Sequence, residues 1–382
     1  MSLKSVACIE DLRRLAHRRV PREFMDYYES GSYSETTLAA NLADLTRVSI
    51  RQKVLAGAAN RDLSSSILGN KVPVPLALGP IGMTGMSHRD GEIAAARAAE
   101  KAGIPYTLST MSICSIEDVA AAVKTPFWFQ LYFMKDRGFV ADLISRARAA
   151  KCSALVLTVD LQVLGQRHRD VKNGLAVPPR IRAATVANIL SKPAWIAGVM
   201  LGKRKTFGNL TGRIPGTSHL NSYMAWTHSQ FDQALSWDDV AWIRERWPGK
   251  LIIKGILDAD DARSAVKAGA SAIVVSNHGG RQLDGAPSAI SMLPRIADAV
   301  GSDTEVLFDS GIRSGQDVFR ALALGAKGCL LGRAYLYGLC AAGEDGASKA
   351  IDIIAKELDV TMALAGVRTI GAIDRNCVEA RF

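Results

Sequence analysis

From Val72 to about residue 350 the chain alternates between short apolar runs, rich in β-branched residues, and longer stretches with apolar side chains at helical spacing. The short runs predict strands at Val74–Leu78, Tyr106–Leu108, Trp128–Leu131, Ala154–Val159, Leu251–Lys254, Ala272–Val275, Glu305–Phe308 and Gly328–Leu331. Between them, Gly91–Ala102, Ile116–Val123, Gly138–Ala150, Trp237–Trp247, Ala259–Ala268, Ala289–Val300 and Gln316–Leu324 read as amphipathic helices. Runs such as Ile273-Val274-Val275 have no polar position, as strands covered on both faces require. Eight strand-then-helix units predict an α/β fold, a closed (β/α)8 TIM barrel. An open doubly wound sheet would want G-x-G-x-x-G after its first strand, and Gly79-Pro80-Ile81-Gly82-Met83-Thr84-Gly85 lacks that spacing.

The barrel, residues 72–350, follows an N-terminal helical extension over 1–70, where Asp11-Leu12-Leu15-Ala16 and Phe24-Met25-Tyr28 recur at helical spacing. A long insertion, about 171–231, follows strand four, and 351–382 is a C-terminal tail, all in a single domain. With 382 residues, 48% of them hydrophobic and 22% charged, the chain is long enough to bury a large core. Cys8, Cys114, Cys152, Cys329, Cys340 and Cys377 form no C-x-x-C pair, which points to a reducing compartment. The charged Glu10-Asp11-Leu12-Arg13-Arg14 follows a short start with no apolar signal core, and no apolar run is long enough to span a bilayer. No metal is expected.

The net charge of +10 is unevenly spread. Between Asp170 and Asp232 there is no acidic residue, but there are Lys172, Arg180, Arg182, Lys192, Lys203, Arg204, Lys205 and Arg213. These interleave with the apolar Ala194-Trp195-Ile196-Ala197-Gly198-Val199-Met200-Leu201. Such a segment suits an anionic membrane surface, with basic side chains on headgroups and Trp195 dipping into the interface. The alternative is a barrel insertion that covers the active site. No nucleic-acid partner is expected, because the basic run lacks a recognised module.

Chemistry collects where the predicted strands end, the place where this fold carries its active sites. Gly82 follows strand one, Ser109 follows strand two, and Gln130 and Tyr132 lie on or after strand three. Thr158, Asp160 and Arg167 go with strand four, and Lys254 with strand five. Strand six leads into Ser276-Asn277-His278-Gly279-Gly280-Arg281-Gln282-Leu283-Asp284, which sets an imidazole and a guanidinium three residues apart on one glycine-bearing turn. Imidazole takes a proton near neutral pH and guanidinium forks onto carboxylate or phosphate, so the pair suggests proton abstraction from an anionic substrate. Ser310-Gly311-Ile312-Arg313-Ser314-Gly315 after strand seven, behind Asp309, and Leu331-Gly332-Arg333 after strand eight form a phosphate signal. The phosphate belongs to a cofactor or to a phosphorylated substrate, and the spacing leaves both open.

The His-containing run, with Phe129-Gln130-Leu131-Tyr132, Leu157-Thr158-Val159-Asp160 and Ile253-Lys254-Gly255, resembles the FMN-dependent L-2-hydroxy acid dehydrogenase and oxidase family over nearly the whole chain. Ser109-Thr110-Met111-Ser112-Ile113-Cys114 and Gly332-Arg333-Ala334-Tyr335-Leu336-Tyr337 are most similar to its bacterial quinone-linked L-lactate dehydrogenases. The resemblance implies FMN as cofactor, oxidation of a small L-2-hydroxy acid such as L-lactate to pyruvate, a quinone acceptor, and a homo-oligomer, most often a tetramer. It implies a peripheral place on the cytoplasmic face of the inner membrane. His278 would be the base and Asp160 its partner; Arg281 and Arg167 would hold the substrate carboxylate, and Tyr27 and Tyr132 would hydrogen-bond the carboxylate and the reacting oxygen. Lys254 would stabilise charge on reduced flavin, while Gly82, Ser109, Gln130, Thr158 and Ser276 would contact the ring or ribityl chain. Asp309, Gly311, Arg313, Gly332 and Arg333 would hold the ribityl and phosphate end.

Plainer roles stand beside these: Tyr27 packing a helix, Lys254 paired with Asp309 or Asp160, and Asp160 capping a turn. His17, His88, His168, His219 and His228 read as structural or solvated. Met111 stands where plant glycolate oxidase carries Trp, which leaves room for mandelate or a longer hydroxy acid. Gly82 is similar to the dehydrogenases and differs from the Ala usual in oxidases. The rival readings are a soluble, peroxide-forming oxidase and, in a different class, an isomerase or lyase on a phosphorylated substrate.

Overall fold

The computed structural model describes residues 2–173, 183–214 and 220–382. Eight parallel strands follow one another around a barrel: β1 (Leu76–Leu78), β2 (Thr107–Ser109), β3 (Trp128–Tyr132), β4 (Ala154–Thr158), β5 (Lys250–Ile256), β6 (Ala272–Val275), β7 (Glu305–Phe308) and β8 (Gly328–Leu331). A bridge between Leu78 and Tyr106 closes β1 onto β2. The (β/α)8 TIM barrel is therefore present with its N-terminal helices, Ile9–Arg19, Arg22–Glu29 and Thr36–Thr46.

Side-chain alternation along the strands explains both the core and the site. Ala77, Trp128, Ala154, Val156, Ile252, Ala272, Val274, Leu307 and Leu330 cluster with one another, apart from neighbours such as Leu155, Leu157, Ile253 and Ile273, which join the larger core. Ile67, Leu68 and Val72 of the hairpin Ser65–Ile67 and Asn70–Val72 belong to the same smaller cluster. Two residues further along the strands from Trp128, Val156, Ile252, Val274 and Leu307 stand Gln130, Thr158, Lys254, Ser276 and Asp309. The period of two thus turns an apolar layer into a polar one at the carboxyl ends of the strands.

Strand boundaries differ from the sequence expectation in small ways. β1 starts at Leu76, after Pro75, which has no N–H to give a ladder. β5 runs past Lys254 to Ile256, with a register irregularity at Gly255, whose φ is 109°. A Cβ at Gly255 would lie 2.6 Å from Asp160 Cγ, so this glycine lets the two strand ends approach. The helix Arg333–Leu364 carries the chain through residue 351 and bends instead at Ala342 and Gly343.

The described parts of the insertion are docked on the barrel. Lys192 Nζ donates to the carbonyls of His17 and Arg18, both at 3.0 Å, and Asn188 Oδ1 accepts from Arg22 N at 2.8 Å. Arg204 pairs with Asp90 at 2.7 Å and Asp118 at 2.8 Å, and Arg213 with Asp142 at 2.9 Å. Trp195, expected to face lipid, is only 5% exposed: its Nε1 donates to Met86 O at 2.8 Å and its ring packs on Phe24. Of the basic residues read as membrane-facing, Lys192, Arg204 and Arg213 are thus spent within the fold, while Lys203 and Lys205 are exposed. The exposed large apolar side chains of the insertion's described parts are instead Val171, Val186, Leu190, Met200 and Leu201. Arg180, Arg182 and His219 lie outside the described residues. No helix among the described residues is long and apolar enough to cross a membrane.

Candidate active site

A cavity of about 520 Å3 opens at the carboxyl end of the barrel. Tyr27, Gly82, Ser109, Tyr132, Thr158 and Arg167 line it. So do Lys254, His278, Arg281, Asp309, Gly311, Arg313, Gly332 and Arg333. The other three residues singled out in the sequence are hydrogen-bonded to lining residues: Asp160 to His278, Gln130 to Ser109, and Ser276 to Lys254.

His278 owes its position to the turn that follows β6. His278, Gly279 and Gly280 all have positive φ, of 56°, 67° and 76°. The left-handed region costs a non-glycine residue free energy, and His278 adopts it where its imidazole meets Asp160. A Cβ at Gly280 would lie 2.6 Å from the backbone of Leu38, so the N-terminal helix Thr36–Thr46 can close on this turn only at a glycine. Asn277 fixes the turn through paired amide hydrogen bonds with Asn41 at 2.8 and 2.7 Å.

His278 Nδ1 lies 2.9 Å from Asp160 Oδ1. Burial pulls the imidazole pKa below its usual value, and the Asp160 carboxylate opposes this without overcoming it. Burial would raise Asp160, but the charge and hydrogen bond of His278, helped by Lys254, hold it low. The carboxylate is therefore ionised and the imidazole neutral, with Nδ1–H donated to Asp160 and the Nε2 lone pair free to take a proton.

Lys254 Nζ pairs with Asp309 Oδ2 at 2.8 Å and donates to Ser276 Oγ at 2.9 Å. Burial lowers its pKa, yet Asp309 and Asp160 together raise it, so it stays a fixed cation. At the opposite wall Arg281 Nη1 donates to Tyr27 O at 2.6 Å and Ser30 O at 2.9 Å. Burial, then the nearby Arg167, lowers Arg281 to about 10. Arg333 falls to about 9 through burial and the charges of Arg281 and Arg313, and its guanidinium also braces the carbonyls of Tyr28, Gly279 and Ser30. Clustered buried guanidinium groups that depress one another gain from an anion between them.

Three polar atoms inform what the cavity holds. Gln130 Nε2, Thr158 Oγ1 and Arg167 Nε are buried without a partner in the protein. The first two sit in the polar layer with Ser109 and Lys254, a hydrogen-bonding set that suits the edge of a flat heteroaromatic ring. Gly311 and Gly332 with Arg313 offer phosphate donors on the β7 and β8 side. These residues fit FMN.

Residues 16–380 match the FMN-dependent dehydrogenase family. The chain belongs to that family. This FMN-dependent dehydrogenase is 46% identical over 377 residues to an L-lactate dehydrogenase of Caulobacter vibrioides, covering 98% of each chain. It is 47% identical to an L-lactate dehydrogenase of Stenotrophomonas maltophilia, over 97% of this chain and 98% of that one. A crystal structure of a monotopic membrane protein, (S)-mandelate dehydrogenase, superposes with a TM-score of 0.94 at 36% identity, over 99% of this chain and 100% of that one.

The sequence passed over several residues of this site. Met224, Thr227, His228 and Phe231, in or just after the insertion helix Leu220–Gln230, line the cavity, so His228 stands at the mouth and is not merely solvated. Their signal was hidden because Leu220–Gln230 has no clear apolar stripe: Tyr223 and Trp226 pack on the barrel core while Met224, Thr227 and His228 line the cavity. Asp170 also lines the cavity, with Oδ2 3.5 Å from Arg167 Nη1. The short helix His168–Lys172, which sets Asp170 one turn from Arg167, was not among the helices expected from the sequence. His17 pairs with Glu29, and His168 packs on Tyr33.

Proposed function

We propose that this dehydrogenase oxidises a small L-2-hydroxy acid to the 2-oxo acid, with L-lactate to pyruvate the best-supported reaction, and passes electrons to membrane quinone. The observation that carries the reading is the neutral His278 on ionised Asp160 in the same cavity as Arg167 and Arg281. That arrangement is a base beside a carboxylate receptor. The near full-length identity to L-lactate dehydrogenases favours lactate. FMN, when bound, supplies the two-electron acceptor.

The chain's own residues then divide the work. His278 Nε2 takes the substrate proton, and Asp160 stabilises the imidazolium that forms. Arg281 and Arg167 fork onto the carboxylate. Tyr27 and Tyr132 donate to the carboxylate and the reacting oxygen; burial pushes the Tyr132 phenol up, so it remains a donor. Lys254 would set a positive charge beside bound FMN, and Asp309, Gly311, Arg313, Gly332 and Arg333 would hold its ribityl phosphate end. Gly82 leaves space beside Met111, and its likeness to dehydrogenases favours an acceptor other than oxygen. The exposed Val186, Leu190, Met200 and Leu201, with Lys203 and Lys205 beside them, support peripheral contact with an anionic membrane, where quinone is found.

The visible spectrum of the purified protein before and after anaerobic L-lactate tests the reading. Bleaching of the flavin bands by L-lactate and not by D-lactate is expected. A flavin that bleaches only with mandelate would move the substrate to larger hydroxy acids. Rapid re-oxidation of the bleached protein by air, with peroxide formed, would replace the quinone dehydrogenase with an oxidase.

A further inference from the structure

The substrate end of the cavity contains a carboxylate that the proposed reaction does not use. Asp170, in the short helix His168–Lys172, accepts a hydrogen bond from Ser30 Oγ at 3.2 Å through Oδ1 and turns Oδ2 toward Arg167 Nη1 at 3.5 Å. The second distance is long for a hydrogen bond, so Asp170 acts on the arginine chiefly as a charge. Burial raises its pKa above the usual carboxylate value, and Arg281 and Arg167, in that order, oppose this without overcoming it.

A charge count gives this carboxylate a purpose. Among the described residues, two carboxylates line the cavity, Asp170 and Asp309. Asp309 is committed to Lys254 at 2.8 Å, which leaves Asp170 alone to oppose Arg167 and Arg281. With Arg313 and Arg333 assigned to the cofactor phosphate, the two substrate-side cations and one anion leave one net positive charge, matched by a single carboxylate. Of the other lining residues, Met111, Leu161, Leu164, Val171 and Met224 are apolar, and the polar Gln166, Thr227 and His228 add no further Lys or Arg for a second carboxylate. We propose that Asp170 sets this balance, so that the site selects hydroxy acids with one carboxylate and rejects those with two. The proposal rests on the reading that Arg167 and Arg281 hold the substrate carboxylate.

Propanoate and malonate differ only in a methyl against a second carboxylate, and neither can be oxidised at a hydroxyl. Each is titrated into the oxidised holoenzyme at about pH 8, where both are fully ionised, and binding is read from the flavin visible spectrum. Removing one charge from a partly desolvated site is expected to raise the malonate-to-propanoate affinity ratio about tenfold in Asp170→Asn. Asp170→Glu, which keeps the charge, is expected to hold the wild-type ratio. A parallel loss of affinity for both anions at an unchanged ratio would overturn the proposal and make Asp170 a brace for Arg167. Should Asp170→Asn fail to retain flavin, Asp170→Ser carries the same expectation and the same reversal. If neither anion perturbs the flavin of the wild-type protein nor competes with L-lactate, the carboxylate site itself falls, and this proposal with it. An unchanged ratio in Asp170→Asn, where the wild-type protein binds both anions, overturns the Asp170 role alone.

Discussion

Asp160 Oδ1 faces His278 Nδ1 at 2.9 Å, and its other oxygen, Oδ2, is buried with no partner in the protein. The carboxylate therefore spends its charge on the imidazole and on Lys254. A base must be neutral to act, so kcat/KM falls as pH drops through the pKa of His278, which burial sets below the usual imidazole value. Asp160→Asn removes the charge that opposes burial, so the acid limb moves to still lower pH. It also removes the partner of the imidazolium and lets the wrong tautomer form, and kcat is expected to fall about 10²–10⁴-fold. A pH profile whose acid limb stays in place would show that Asp160 does not set the charge on His278.

Arg281 has two duties that a lysine cannot share. Its Nη1 ties the carbonyls of Tyr27 and Ser30, and the rest of its fork is left for an anion. Arg281→Lys keeps a positive charge but presents a single point of contact, so KM for the hydroxy acid is expected to rise about 10–100-fold, with a smaller change in kcat. Steady-state kinetics with L-lactate measures both, and an unaltered KM would take Arg281 out of substrate binding.

Asn209 couples the insertion to the cofactor end of the cavity. It is fully buried; Nδ2 donates to Ser109 O, Thr110 O and Ser112 Oγ at 3.3, 3.2 and 3.0 Å, and Oδ1 accepts from Ile116 N at 2.9 Å. Ser109 in turn donates to Gln130 Oε1 at 3.1 Å. Asn209→Ala orphans these groups and is expected to cost about 2–4 kcal/mol of stability. It is also expected to weaken FMN retention, measured by flavin fluorescence during titration of the apoprotein. A variant with a lowered Tm but wild-type FMN affinity would confine Asn209 to the fold.

The barrel was legible because parallel strands buried on both faces leave uninterrupted apolar runs, and Ile273-Val274-Val275 is one of them. The positions of Gln130, Thr158, Lys254 and Asp309 followed from strand ends, and their common layer follows from the period of two. Asp170 and Asn209 were not legible, since their partners lie far away in sequence: Ser30 is 140 residues from Asp170, and Ser109 is 100 residues from Asn209. The insertion misled for a related reason. Composition reports that a segment is basic and holds a Trp, but Arg204 and Arg213 meet carboxylates on barrel helices, and Trp195 meets Met86 and Phe24. Pairing across the fold decides which charges remain outward, and periodicity carries no trace of it.

The membrane reading therefore rests on different side chains from those the sequence suggested. Leu190 is 68% and Leu201 78% exposed, while Trp195 is 5% exposed. Exposed leucines near Lys203 and Lys205, which pair with no carboxylate among the described residues, form an amphipathic surface that gains from an interface. Leu190→Glu with Leu201→Glu places two negative charges on that surface and is expected to abolish sedimentation with vesicles containing anionic lipid, while flavin reduction by L-lactate in solution stays at the wild-type rate. Trp195→Ala is expected to leave vesicle binding intact and to lower Tm instead, because it opens a cavity beneath Met86 and Phe24. Excising 184–217 outright would not separate the two effects, since it removes Asn209 along with the leucines. Undiminished sedimentation of the double glutamate variant would move the membrane contact to another face.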